Sequence, residues 1–260
     1  MPRFPSHPER RAAVVTGSSS GIGLATALAL AEAGHPVVLG ARRLDRLEET
    51  VATLVAAGGE ALALPLDLTD DGSIDAFAAA AQERMGPIEV VVSNAGEVFP
   101  ATALDVDPSD FARQLQVNVV GAHRLVRGLG PSMVERQRGD IVFVTSDVVR
   151  VPRTYMAAYV TSKNALEGLA RAMQMELEGT GVRASIVRPG PSTTEQGTSW
   201  SEGTVNEVIA DWERWGVVRH SGALRPGDVA RVVLAVISTP RGTHLTLVEV
   251  EPEAPVGGPA

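Results

Sequence analysis

Thr16-Gly17-Ser18-Ser19-Ser20-Gly21-Ile22-Gly23 joins a short apolar run at 12–15 to an alanine- and leucine-rich stretch at 22–33. The run has the length of a strand and the stretch that of a helix, so the segment reads as strand, tight loop, helix. Glycines in the loop remove the Cβ atoms that would hold a ligand away from the backbone. The first N–H groups of the following helix have no partner within it and attract an anion. A dinucleotide's pyrophosphate needs this arrangement, and the strand before and helix after supply the context that such a loop requires. Taken alone, the glycines also read as a plain strand-to-helix turn.

Outward from the loop the same alternation continues. Strands are expected at 12–15, 37–39, 61–66, 88–92, 141–144, 182–187 and 245–250. Helices are expected at 22–33, 44–57, 73–85, 157–178, 206–215 and 228–237, with a long helical region at 109–138 broken near Gly128 and Pro131. Continuously apolar strands indicate a parallel sheet covered by helices on both faces. The expected fold class is α/β: a doubly wound, Rossmann-like parallel sheet of about seven strands, in a single domain over 1–260. The proline-rich ends, 1–10 and 252–260, are expected to be flexible arms.

Composition narrows the function. The chain is 44% hydrophobic and 21% charged, enough to bury a full core. A net charge of −8 argues against a broad surface for nucleic acid or anionic membrane. With no cysteine, disulfides, thiolate catalysis and cysteine-based metal sites are excluded, and a cytoplasmic address is expected. The histidines show no ligand spacing, so no metal is expected. Arg10 and Arg11 precede twenty uncharged residues, as in a twin-arginine signal or a membrane span, but that stretch is too polar and glycine-rich for a bilayer core. Among the basic residues there are 22 arginines and one lysine, Lys163.

Cofactor choice is read at the end of the second strand. An acid there would hold the ribose 2′-OH of NAD. Arg42 and Arg43 stand there instead and, with Ser18, suit a 2′-phosphate, so NADP(H) is expected. The bland alternative is a solvated basic start to the next helix. Asp67, ending the third strand beside Leu68, is a candidate partner for the adenine amine.

Tyr159 and Lys163 lie four residues apart in the expected long helix, on one face. A phenol is a poor base near neutral pH. A cation at ~4 Å in an effective dielectric of ~20 favours the phenolate by about 4 kcal/mol before desolvation opposes it. Tyr159 would then be poised to exchange a proton with a substrate oxygen.

The loop, Asn94-Ala95-Gly96 after the fourth strand, Ser146 after the fifth, Tyr159 with Lys163, and Pro189-Gly190 after the sixth resemble the short-chain dehydrogenase/reductase family in order and spacing over roughly 11–250. The resemblance implies Tyr159 as general acid/base, with Lys163 lowering its pKa and holding the nicotinamide ribose. It implies Ser146 as a hydrogen-bonding partner of the substrate oxygen, and Asn118 as anchor of a proton relay behind the lysine. Gly17, Ser20, Gly21, Ile22 and Gly23 would form the phosphate loop. Asn94, Ala95 and Gly96 would shape the adenine-ribose side, and Pro189, Gly190 and Thr194 would receive the nicotinamide amide and pyrophosphate. A homotetramer or homodimer is also implied.

Departures from the family pattern are few. Asp147 and Arg150 follow the serine where a glycine is usual; they face substrate or, the favoured reading, pair with each other. Ser192 replaces an aliphatic residue, and Pro191 lacks an N–H. The expected substrate lid, 195–223, holds all three tryptophans, Trp200, Trp212 and Trp215. They would line a pocket for a bulky apolar carbonyl or alcohol, or pack the lid onto the body or a neighbouring subunit. The function expected is hydride transfer between nicotinamide and a carbonyl or secondary alcohol. Alternatives are a catalytically silent dinucleotide-binding regulator, which would be free to lose Tyr159 or Lys163, and an NADP-assisted epimerase or dehydratase.

Overall fold

The computed structural model describes residues 5–195 and 200–256. Seven parallel strands form one sheet in the order β3-β2-β1-β4-β5-β6-β7. They are β1 (Ala12–Thr16), β2 (Val37–Ala41), β3 (Ala61–Pro65), β4 (Ile88–Ser93), β5 (Gly139–Val144), β6 (Val182–Pro189) and β7 (Leu247–Val250). Strands β1, β2, β4 and β5 are buried throughout, as near-continuous runs of Val, Ile and Ala require when both faces are covered. The order reverses between β1 and β4, which opens a crevice at the carboxyl ends of those strands.

The helices are α1 (Gly21–Glu32), α2 (Leu44–Ala56), α3 (Asp71–Met85), α4 (Pro108–Leu115), α5 (Ala122–Glu135), α6 (Ala157–Glu176), α7 (Glu202–Arg214) and α8 (Pro226–Ser238). One face of the sheet is sealed by α3, α5 and α6 around Phe77, Leu125, Leu129, Met133 and Leu166. The other is sealed by α1, α2 and α8 around Leu30, Leu47, Val229 and Val233. Each such side chain contributes ~2 kcal/mol by leaving water. The doubly wound parallel sheet expected from the sequence is therefore present.

The helix break is not where the sequence placed it. Pro131 lies inside α5, which passes through it unbroken. The carbonyl that proline leaves unpaired belongs to Arg127, an exposed residue whose carbonyl water can serve. The irregularity comes earlier, where a wide π-type turn, Gln116–Gly121, joins α4 to α5. Such turns carry one extra residue and re-aim side chains. This one turns Asn118 into the interior. Helix α7 begins four residues earlier than expected because Ser201 caps it, its hydroxyl accepting from the N–H of Thr204 at 3.1 Å.

The expectation of a loose arm over 1–10 does not hold from His7 onward. His7 lies 3.2 Å from the carbonyl of Thr239, and Arg10 pairs with Glu60 at 2.7 Å. Beside them Arg11 and Arg183 share the buried carboxylate of Asp140 across β5 and β6.

Candidate active site

The glycine loop is locked to the turn after β4 by one threonine. Thr16 Oγ1 accepts from the N–H groups of Asn94 and Ala95, both at 3.0 Å, and its carbonyl accepts from Asn94 Nδ2 at 2.9 Å. Space there permits only glycine. A Cβ on Gly17, which has φ +68°, would stand 2.9 Å from Ala95 Cα, and one on Gly23 would stand 2.4 Å from the Gly17 carbonyl oxygen. Gly23 thus packs behind the loop. Ser18 is also fully buried, its hydroxyl on the Gly40 carbonyl at 3.4 Å. Ser19 takes the place on the crevice wall that the sequence reading gave to Ser18.

Both arginines after β2 line the crevice, each with a carboxylate. Arg42 Nη1 is 3.0 Å from Glu97 Oε1, and Glu97 is also gripped by Arg113 through two donors at 2.8 and 3.0 Å. Arg43 donates to the hydroxyls of Ser19 and Ser20 and, at 2.9 Å, to Glu195. Arg46 meets the same Glu195 at 2.8 Å. Hydrogen bonds from Arg43 and Arg46 hold the Glu195 carboxyl down at about 2. Asp67 receives the N–H and hydroxyl of Thr69 on Oδ1, which lower its pKa, and lines the crevice with Leu68.

At the other end of the crevice, α6 presents Tyr159 and Lys163. Lys163 is 3% exposed, its Nζ donates to the Val144 carbonyl at 3.0 Å, and it lies 5.6 Å from the centre of the Tyr159 ring. Burial pulls its pKa down from 10.5 to about 8. Behind it, Asn118 accepts the Glu97 N–H on Oδ1 at 2.8 Å and donates through Nδ2 to the Glu97 carbonyl and to Ser162 Oγ. Gly96 keeps the way to the lysine open, since a Cβ there would sit 3.2 Å from Asn118 Oδ1 and 3.5 Å from Lys163 Nζ.

Ser146 caps the short turn Asp147–Val149, and its Oγ donates to Asp147 Oδ1 at 3.2 Å. The expected pairing of Asp147 with Arg150 is not found. Asp147 is held by two donors of Arg153 instead. Arg150 reaches across to Glu249 at 2.7 Å and Glu251 at 3.0 Å, carboxylates that β7 and its extension bring alongside.

These groups line one continuous crevice of about 1100 Å³, together with Pro189, Gly190, Thr194, Trp200 and Trp212. Gln196, Gly197, Thr198 and Ser199 of the expected lid lie outside the described residues. Trp212 donates its Nε1 to the Thr154 carbonyl at 3.0 Å, whereas Trp215 points to solvent, 63% exposed. Trp200, Trp212, Met156 and Val148 pack around Tyr159 and give that part of the crevice an apolar wall. The sequence reading missed Glu97 and Arg153. A carboxylate directly after Asn94-Ala95-Gly96 and an arginine six residues before Tyr159 were the signals available.

Residues 11–204 match the short chain dehydrogenase family. The chain belongs to that family. As a short-chain dehydrogenase it is an oxidoreductase, and its relatives span most of its length. It is 33% identical over 244 residues to the 2,3-dihydro-2,3-dihydroxybenzoate dehydrogenase of Bacillus subtilis, which covers 92% of this chain and 93% of that protein. It is 32% identical over 243 residues to the glycine betaine reductase of Emericella nidulans, covering 93% of this chain but only 19% of that much longer protein. The alcohol dehydrogenase of the archaeon Thermococcus sibiricus, solved with 5-hydroxy-NADP, superposes with a TM-score of 0.80 at 30% identity over 93% of this chain and 96% of that one. No helix among the described residues is long and apolar enough to cross a membrane.

Proposed function

We propose that this short-chain dehydrogenase transfers hydride between NADP(H) and a carbonyl or secondary alcohol, with Tyr159, Lys163 and Ser146 at the reacting oxygen. The observation that carries the reading is the buried Lys163 cation beside Tyr159 at the mouth of a crevice whose far end holds Arg42 and Arg43. The residues fit a dinucleotide. The N-terminus of α1 and the side-chain-free loop suit its pyrophosphate, and Gly96 leaves room in front of Lys163 for a ribose. The archaeal relative's 5-hydroxy-NADP supports the phosphorylated form.

Bound NADPH would supply the hydride. The protein supplies position and the proton. Tyr159 would give its phenolic proton to the substrate oxygen as that oxygen gains charge, and the Lys163 ammonium would stabilise the phenolate left behind. Ser146 would fix the oxygen's direction. Its hydroxyl hydrogen now points at Asp147, so it must turn toward the substrate to donate. Asn118 would hold the wall of the site through its bonds to Glu97 and Ser162. The apolar wall of Trp200, Trp212 and Met156 suits a substrate with a bulky apolar body. A silent dinucleotide binder is not favoured, because Ser146, Tyr159 and Lys163 all survive on one crevice wall.

The test is direct. The purified protein should bind NADPH more tightly than NADH, read by tryptophan quenching, and should consume NADPH with a panel of ketones. Binding of neither nucleotide would sink the proposal.

A further inference from the structure

An ion pair stands on the crevice wall one residue from Ser146, where the proposed reaction gives it no task. The side chains of Asp147 and Arg153 are 7% and 11% exposed. Arg153 Nη1 donates to Asp147 Oδ1 at 3.0 Å, and Nη2 donates to Oδ2. The guanidinium also lies 5.3 Å from the centre of the Trp212 ring. Desolvating two charges is costly, and an apolar pair of the same size often does as well or better for stability.

The pair is also held in place by its surroundings. Trp212 is fixed through its bond to the Thr154 carbonyl. Tyr155 sits at φ +60°, a left-handed backbone that a residue with a side chain rarely adopts, and its carbonyl accepts from Ala101 N–H at 2.9 Å. Strain of this kind is kept where surrounding structure over-determines it, commonly at ligand sites.

Neither member of the pair is used up. Two of a guanidinium's five N–H donors go to Asp147. The others have no acceptor among the described residues, and Arg153 lines the crevice. Asp147 Oδ1 takes Ser146 and Arg153, whereas Oδ2 takes Arg153 alone. The crevice therefore offers a donor and an acceptor side by side, with no net charge. A carboxylate substituent would meet Asp147, and an ammonium would meet Arg153. A hydroxyl both donates and accepts, and satisfies the two together.

Spacing says where that hydroxyl sits. Ser146 Oγ and Asp147 Oδ1 are 3.2 Å apart. Oxygens on adjacent carbons stand roughly 3 Å apart, about one hydrogen-bond length. We propose that Asp147 and Arg153 recognise a neutral hydroxyl on the carbon next to the reacting one, so that the substrates are α-hydroxy ketones and the vicinal diols they interconvert with. In the reducing direction the carbonyl carbon gains a hydride from NADPH and its oxygen gains a proton through Tyr159, leaving the diol and NADP+. This inference rests on the reductase reading above and names the substrate class of that site.

The test compares three ketones with one apolar body: acetophenone, 2-hydroxyacetophenone and benzoylformate. Each is offered to the full chain with NADPH, and nucleotide binding to every protein is measured separately as a check of folding. The hydroxy ketone should have a kcat/KM at least ~10-fold above the other two, since leaving such a buried pair unmatched is costly. Asp147→Asn and Arg153→Met should each bring its advantage over acetophenone to within about 3-fold while still binding NADPH. Equal use of acetophenone and the hydroxy ketone, preference for benzoylformate, or an advantage kept in both variants would overturn the hydroxyl assignment alone. NADPH binding with no turnover of any ketone would overturn the reductase reading beneath it.

Discussion

The ammonium of Lys163 and the carbonyl oxygen of Val144 stand 3.0 Å apart, so β5, the strand that delivers Ser146, also anchors the cation of the tyrosine–lysine pair. One strand end sets the distance between the three candidate groups. Burial is the cause of the lysine's lowered pKa.

That burial has a pH signature. The unfolded chain holds its lysine proton up to about 10.5 and the folded chain up to about 8. Between those values the unfolded state binds more protons, so this group makes stability rise with pH across the window. Below about pH 8 the full penalty stands, about 3 kcal/mol. Lys163→Met should therefore be more stable at pH 7 by about 2 kcal/mol in urea unfolding, after the lost hydrogen bond is subtracted, and almost inactive. In the native protein, kcat/KM for carbonyl reduction should fall above about pH 8 as the lysine loses its charge.

Tyr159→Phe removes one oxygen from a residue that is 8% exposed and leaves its ring packing intact. Turnover should drop by about 100- to 10,000-fold with NADPH affinity nearly unchanged. A near-native rate would mean that the proton comes from another group.

Arg42 meets only Glu97 among the described residues and is 58% exposed, available to a second anion. Arg42→Ala should weaken NADPH binding by roughly 10- to 100-fold and alter NADH binding by less than about 3-fold. Equal losses for both nucleotides, measured by fluorescence titration, would remove the 2′-phosphate assignment.

Glu167 lies one helical turn beyond Lys163 and binds Arg188 through both carboxylate oxygens, at 2.8 and 2.7 Å, as well as Thr145 Oγ1 at 3.0 Å. Its side chain is 3% exposed and that of Arg188 10%. Glu167→Gln leaves a nearly buried guanidinium short of charge, though Glu249 still contacts it. Urea unfolding should report a loss of about 3 kcal/mol.

The parallel sheet and the ends of the crevice were legible because they depend on local patterns. A continuous apolar run, a glycine loop and an i,i+4 pair each declare themselves within a few residues. What stayed hidden depends on distant chain. Arg150 lies three residues from Asp147, yet it pairs with Glu251, 101 residues away, because β7 runs beside β6. The π-type turn at Gln116–Gly121 has no residue type that announces it, and is held by the bonds of Asn118 to Glu97 and Ser162. Pro131 did announce a break, but α5 keeps its course because it packs along α3.

A chain with a single lysine, buried in the candidate site, also has simple reactivity. Acylating reagents find no lysine at the surface. A label reaches the lysine through the crevice that it lines, past Gly96. Counting acylated lysine by mass thus reports whether this crevice is filled, without a reporter having to be engineered into the molecule.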